Sequence, residues 1–147
     1  MPVKGLSVNK IGVVPISLCR MDIVEFREYC LSLPEVEETL PFDDTTLVFK
    51  VGGKMFAVID MNEPDHFVVK CDPEREIELR ERYDFVTAAW HFNKKHWNSI
   101  VMDGADNDFL RHEIIHSYLL VVRQNVTPKA LREQILQTAT DEGIDLI

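Results

Sequence analysis

The chain has 147 residues, of which 46% are hydrophobic and 28% charged, a balance typical of a folded globular domain and not of a disordered chain. Its 25 acidic against 16 basic residues give a formal charge of −9, so any contact with nucleic acid requires a local basic patch. The three cysteines form no C-x-x-C pair, and no apolar run reaches the ~18–20 residues of a membrane helix. These features exclude a disulfide framework, a zinc knuckle and a membrane span, and they indicate a single cytosolic domain.

Residues 1–20 differ in pattern from the rest of the chain. The segment MPVKGLSVNKIGVVPISLCR lacks the helical periodicity that starts at Met21, and its short apolar run contains Pro15. Leu18, just before Cys19, is too large for a lipoprotein cleavage site. We therefore expect residues 1–20 to be a disordered extension or an over-long start, with Met21 as the natural first residue.

The stretch MDIVEFREYCLSLP predicts the first helix. Asp22 is the expected N-cap, Glu25 completes a capping box three residues later, and Pro34 ends the helix. The apolar residues at helical spacing are Ile23, Phe26, Cys30 and Leu33. The next stretch, EVEETLPFDD, carries five acids and no base, and Pro41 limits any strand there to a short edge piece. It is interpreted as a solvated acidic rim.

Two β-rich runs joined by Gly52 and Gly53 predict a hairpin, because a two-residue turn requires positive φ angles that glycine supplies. A simple two-residue turn gives a definite register. It pairs Phe49 with Phe56 and Leu47 with Val58 on the core side, and Lys50 with Met55 and Val48 with Ala57 on the other.

The remaining elements alternate between strands and helices. HFVVK predicts a strand, Asp72 and Pro73 begin a helix, and FVTAAWHFNKKHWNSIVM reads as strand, polar connection and strand. A long helix begins at Asp106 or Asn107, and Thr127 caps a last helix with Pro128 at its first position. The order predicts an α+β single domain over residues 21–140, an antiparallel sheet with helices packed on it in the order α-β(3-4)-α-β(2)-α plus a C-terminal helix. Residues 141–147 are expected to form a flexible tail.

Four segments in this order, LVFKVGGKMFAV, VKCDPE, LRERY and HFNKKHWN, resemble the MmcQ/YjbR family of small bacterial proteins. The resemblance covers about residues 22–136. It implies a fold similar to that of type III secretion chaperones and to the frataxin-like CyaY fold. It also implies DNA binding through a double-wing arrangement of strands.

The stretch HFNKKHWNSI, residues 91–100, is the candidate binding segment. Lysines can contact phosphate, asparagines can donate hydrogen bonds, and an aromatic ring can stack on a base. Together with the lysines that flank the glycine turn, the predicted nucleic-acid contacts are Lys50, Lys54, Asn93, Lys94, Lys95, His96 and Asn98. The alternative is that Trp97 anchors its strand in the core while the polar residues satisfy a turn.

A second motif, RHEIIH at residues 111–116, matches the H-E-x-x-H pattern of zinc peptidases. A helical wheel places His112, His116 and Arg123 away from the apolar side of the helix, so both histidines are expected to be exposed to solvent, and no third ligand follows. We therefore predict no metal, no cofactor and no catalytic residue. Cys71, beside Asp72, is interpreted as a buried structural thiol.

Two functions follow from this reading. The first is a non-catalytic cytosolic binding domain that contacts DNA through the local basic patch. The alternative is a protein-interaction or chaperone-like module without nucleic-acid binding.

Overall fold

Helix α1 begins where its capping residues predict. In the computed structural model, which describes residues 21–89 and 92–144 together with the backbone of 6–9 and 12–15, α1 spans Ile23–Ser32. The carboxylate of Asp22 accepts a hydrogen bond from the amide of Glu25 at 2.9 Å. Phe26 and Cys30 are fully buried. The predicted N-cap and apolar spacing are thus confirmed.

A six-stranded antiparallel sheet carries the rest of the domain, with strand order β3-β4-β5-β6-β8-β7. Its strands are β3 (Val36–Thr39), β4 (Thr46–Val51), β5 (Lys54–Asp60), β6 (His66–Lys70), β7 (Val86–Ala88) and β8 (Trp97–Val101). Two further strands, β1 (Leu6–Asn9) and β2 (Gly12–Pro15), pair with each other in a separate sheet. The other residues of 1–20 lie outside the described part, so the prediction of a disordered extension stays a prediction.

The β4–β5 hairpin has the predicted glycine turn but a different register. Both glycines have positive φ, and Lys50 pairs with Met55 as expected. A bulge between Phe49 and Lys50 then shifts the pairing by one residue. The pairs beyond it are Phe49 with Ala57, Val48 with Val58, and Leu47 with Ile59. The predicted pairs of Phe49 with Phe56, Leu47 with Val58, and Val48 with Ala57 are therefore wrong.

The remaining helices are α2 (Pro73–Arg82), α3 (Asn107–Asn125) and α4 (Lys129–Asp141). One hydrophobic core joins side chains of all four helices to a single face of the sheet. Phe26 lies at its centre, with its ring 4.6 Å from that of Phe67 and 5.6 Å from that of Phe49. The α+β single-domain fold and the predicted order of elements are confirmed.

The opposite side of the sheet is called the outer face. Val48, Val58 and Val68 form one row across it, because Val48 pairs with Val58 and Val58 with Val68. Lys70 lies two residues beyond Val68 on β6 and pairs with Trp97 of β8, so both belong to this face by strand alternation. Val48 and Val58 are buried yet do not belong to the core cluster on the helical side.

The C-terminal part departs from prediction at one cap. Pro128, not Thr127, occupies the N-cap of α4, and no side chain caps this helix. After α4, Ile144 packs against the core and its amide donates to the carbonyl of Ala139 at 2.9 Å. Residues 145–147, within the expected tail, lie outside the described part. Over the described residues, no helix combines the length and apolar character needed to cross a membrane.

Candidate functional site

Most of the predicted contact residues meet at one end of the sheet, here called the basic end. The β4–β5 turn lies there, because Val51 pairs with Lys54. The turn before β8 lies there too, because Lys70 pairs with Trp97 and the amide of Cys71 donates to the carbonyl of His96 at 2.8 Å. Only β6 separates β5 from β8, so the two turns are about 10 Å apart. The fold thus brings together lysines that are some forty residues apart in sequence.

The lysines of the basic end differ in exposure. Lys54, Lys94 and Lys95 are exposed, whereas Lys50 is half-buried and faces Glu37 of β3. Lys70 is a fifth cation at this end, and its Nζ donates to Oδ1 of Asn125 at 2.9 Å. Burial lowers the pKa of Lys70 from its usual value. Sequence reasoning missed Lys70, although the alternation of HFVVK places it on the same face as Trp97.

The turn between Phe92 and Trp97 is held by two residues. Asn93 accepts the Lys95 amide on its side-chain Oδ1 at 3.0 Å, and its carbonyl accepts the amides of His96 and Trp97 at 3.0 and 3.1 Å. The guanidinium of Arg80 donates to the carbonyls of Lys94 at 2.5 Å and Trp97 at 3.3 Å. Asn93 and Arg80 therefore fix the backbone of the turn that carries Lys94 and Lys95.

Asn98 faces the helices and not the solvent. It is 1% exposed, and its Oδ1 accepts a hydrogen bond from Nε of Arg80 at 2.9 Å. Arg80 also pairs with Glu76 at 2.8 Å, and Glu76 is equally buried. Burial raises the pKa of Glu76 to about 7. The predicted contact from Asn98 is therefore not available to an external ligand, because its amide belongs to this buried network.

Trp97 fits neither of its two predicted roles completely. It is half-buried on the outer face, away from the helix-side core, with its ring 5.4 Å from that of Phe92. Lys70 is the strand partner of Trp97, and its Nζ reaches Asn125 at the end of α3. His96, the remaining predicted contact, is half-buried in the same turn.

The HEIIH residues join α3 to the start of α2. Glu113 is buried and accepts a short hydrogen bond from the guanidinium of Arg75. Nδ1 of His112 lies 3.2 Å from the Glu113 carboxylate, and Nε2 of His116 accepts the Asp72 amide at 3.4 Å. Burial lowers the pKa of His116. The predicted solvent exposure of both histidines is wrong, because α2 packs against this side of α3 and leaves them half-buried.

This arrangement gives the motif a structural role. A general base must be able to reach a substrate, whereas the Glu113 carboxylate is buried against an arginine. Among the residues that the structure describes, no group of three histidine, cysteine or carboxylate side chains could hold a metal ion.

The opposite end of the sheet, here called the acidic end, collects carboxylates. Three loops and the start of α3 meet there, shown by hydrogen bonds from Met61 to Thr45, from Met102 to Asp65, and from Met21 to Asn107. The acids at this end are Asp22, Asp43, Asp44, Asp60, Glu63, Asp65, Asp103, Asp106 and Asp108. A seven-residue strand such as β5 spans about 20 Å. These nine carboxylates therefore lie about 20 Å from the lysines of the basic end, along the length of the strands.

Known bacterial proteins resemble this chain in sequence. The Escherichia coli O157:H7 protein YbdF is 33% identical over 98 residues, which cover 65% of this chain and 80% of the relative. YjbR of Escherichia coli K-12 is 29% identical over 119 residues, covering 80% of this chain and 99% of the relative. Both are described as uncharacterised proteins.

Two solved structures agree with this result. The crystal structure of a Deinococcus radiodurans protein with a DUF419 domain matches with a TM-score of 0.72 and 39% identity, covering 77% of this chain and 86% of that one. A Pseudomonas syringae protein with 21% identity shares the fold at a TM-score of 0.58, covering 68% of this chain and 98% of that one. The model of the YjbR family matches residues 31–120. From this match and these relatives, the chain belongs to the YjbR family.

Proposed function

We propose that the chain is a non-catalytic cytoplasmic binding domain that holds nucleic acid against the basic end of its sheet. The separation of charge carries this proposal, because Lys54, Lys94 and Lys95 are exposed at one end while the carboxylates gather about 20 Å away. Phosphate backbones are attracted to clustered lysines and repelled by carboxylates. A dipolar molecule would therefore approach nucleic acid with its basic end first.

The outer face favours a single strand over a duplex. Single-stranded nucleic acid binds where aromatic side chains that stack on bases lie beside cations that hold the backbone. Trp97 and Phe92 form such an aromatic pair, and Lys70 is the strand partner of Trp97. Acids also lie at this end, with Glu37 opposite Lys50 and Asp72 at the start of α2. Binding is therefore expected to be weak and strongly dependent on salt.

The test is a titration of fluorescent single-stranded and duplex DNA at several salt concentrations, with wild type and the Lys94→Ala/Lys95→Ala variant. Each phosphate contact contributes about −0.7 to the slope of log affinity against log salt for a single strand, and about −0.9 for a duplex. Loss of both lysines should flatten the slope by about 1.4 or 1.8 units, respectively. The matched control is Arg82→Ala/Arg111→Ala, which changes the net charge equally but lies near the acidic end. Absence of binding at low salt, or equal slopes for the two variants, would refute the proposal.

A second candidate is a protein-interaction domain without nucleic-acid binding. Exposed apolar side chains at the acidic end favour it, because Leu40 is 47% and Met61 41% exposed. The DNA titration separates the two candidates. If the protein binds neither form of DNA at low salt, the interaction domain becomes the better explanation.

A further inference from the structure

The outer face carries a groove at the acidic end, with a volume of about 500 Å³. That volume lies within the range of small-molecule sites. Its floor is the directly paired Val58 and Val68, and its aromatic sides are Phe42, which is 65% exposed, and Phe92. The groove therefore offers an apolar bed between two rings.

Carboxylates border one side of this bed. Asp60 lies two residues beyond Val58 on the same strand, and Glu63 follows on the exposed turn after β5. One oxygen of the Asp60 carboxylate accepts the Asn62 amide at 2.8 Å. No lysine or arginine is among the described residues that line the groove. The rim therefore favours a positive charge and repels phosphate.

A third carboxylate lines the groove, but it already accepts hydrogen bonds from neighbouring residues. The side chain of Asp43 accepts hydrogen bonds from the backbone amides and hydroxyls of Thr45 and Thr46 at 2.7 to 3.3 Å. These bonds fix the loop that carries Phe42 in front of the bed. Asp60 and Glu63 are the carboxylates left to meet a ligand.

We propose that this groove binds a small organic cation with an apolar body, such as an arylalkylamine. Residues two apart on a strand are separated by about 7 Å, so a ring lying on Val58 and Val68 would place an ammonium group two methylenes away near Asp60. Aromatic faces also attract cations within about 6 Å, which suits Phe42 and Phe92 as side walls. The groove shares Phe92 with the proposed nucleic-acid surface, but its carboxylates lie at the opposite end from the lysines, so amine binding and DNA binding are tested separately.

The test compares two probes with the same apolar body and opposite charge. Phenethylamine and 3-phenylpropionate are titrated into isotope-labelled protein, and the backbone amide shifts of residues 42–68 are followed by NMR. The amine should give saturable shifts confined to the groove, and the acid should give none. Equal shifts from both probes, or no saturation by the amine, would overturn the proposal, and neither comparison depends on a variant.

Two pairs of variants test whether the carboxylates of Asp60 and Glu63 attract the amine. Asp60→Asn/Glu63→Gln should weaken amine binding at least about tenfold, the factor that corresponds to losing ~1.4 kcal/mol of a charge-assisted contact. The control Glu81→Gln/Asp84→Asn removes the same charge outside the groove and should leave the affinity within about twofold of wild type. If both double variants weaken amine binding equally, the effect comes from net charge alone and a specific site is rejected.

Discussion

Removing Arg75 should destabilise the fold far more than removing an exposed arginine. Glu113 is 2% exposed at its side chain and Arg75 is 30% exposed, so Arg75→Met leaves a buried carboxylate without its cation. Breaking a buried ion pair in this way costs ~3–5 kcal/mol. Because Arg75 is partly solvated, we expect the lower end, about 3 kcal/mol. For a domain of this length, that loss lowers Tm by roughly 9–15 °C.

Two further variants isolate the cause. Arg75→Met/Glu113→Gln removes both charges, and the introduced amide can still bond to Nδ1 of His112, so most of the stability should return. Arg27→Met removes the exposed pair of Arg27 with Glu38, whose side chains are 48% and 23% exposed, and should destabilise the fold far less than Arg75→Met. Urea unfolding at 25 °C, with slopes that stay constant across the set, gives the three differences in free energy.

Either of two results would contradict the expected effect of Arg75→Met. Arg75→Met could prove no less stable than Arg27→Met, which would mean that water solvates Glu113 as well as it solvates an exposed group. Alternatively, the double variant could be as unstable as Arg75→Met alone, which would assign the loss to packing of the arginine stem and not to the unpaired carboxylate.

Three other results are expected. Gly53→Ala should lower the free energy of unfolding by ~1–2 kcal/mol from its positive φ alone. Gly52→Ala should lower it by ~1–3 kcal/mol more than Gly53→Ala does, because the added Cβ would lie 2.9 Å from Val126. Equal losses in urea unfolding would contradict that contact. Burial raises the pKa of Glu76 from 4.5 to about 7, so the folded state holds this proton more tightly and stability is lost as the pH rises between these values. Glu76→Gln should flatten that decline in stability, and an unchanged pH profile of the variant would contradict this assignment. Burial also raises the pKa of Cys71 to about 12, so iodoacetamide at pH 8 should modify this thiol only in denaturant. Mass spectrometry of the peptide that contains Cys71 measures the modification, and rapid labelling of the folded protein would contradict the expectation.

The regular elements could be predicted because their signals are local. Asp22 and Asp72 cap their helices through contacts only two or three residues away, and Gly52 and Gly53 supply their own turn geometry. The bulge at Phe56 of β5 could not be predicted, since it lets both Phe56 and Ala57 reach the core, and that fit depends on helices distant in sequence. Local patterns thus determine where elements begin, while long-range packing determines their exact register.

The candidate site shows the same division. Gathering Lys50, Lys54, Lys94 and Lys95 was expected from the family resemblance, and the antiparallel order does place them at one end. The inward orientation of Asn98 follows strand alternation, since Ile100 two residues later is buried on the same face, but the bond from Arg80 depends on how α2 crosses the sheet. His112 and His116 were misplaced because a helical wheel describes one helix and omits what packs beside it.

The two outermost strands limit how the sheet can grow. β3 has four residues, two of them glutamates, and β7 has only three, so neither presents a long flat row of unpaired amide and carbonyl groups. Short and charged borders discourage the edge-to-edge pairing that leads to aggregation. Two molecules that collide side by side would therefore gain few intermolecular backbone bonds, which should keep the domain dispersed at high concentration even though its inner strands are rich in valine, isoleucine and phenylalanine.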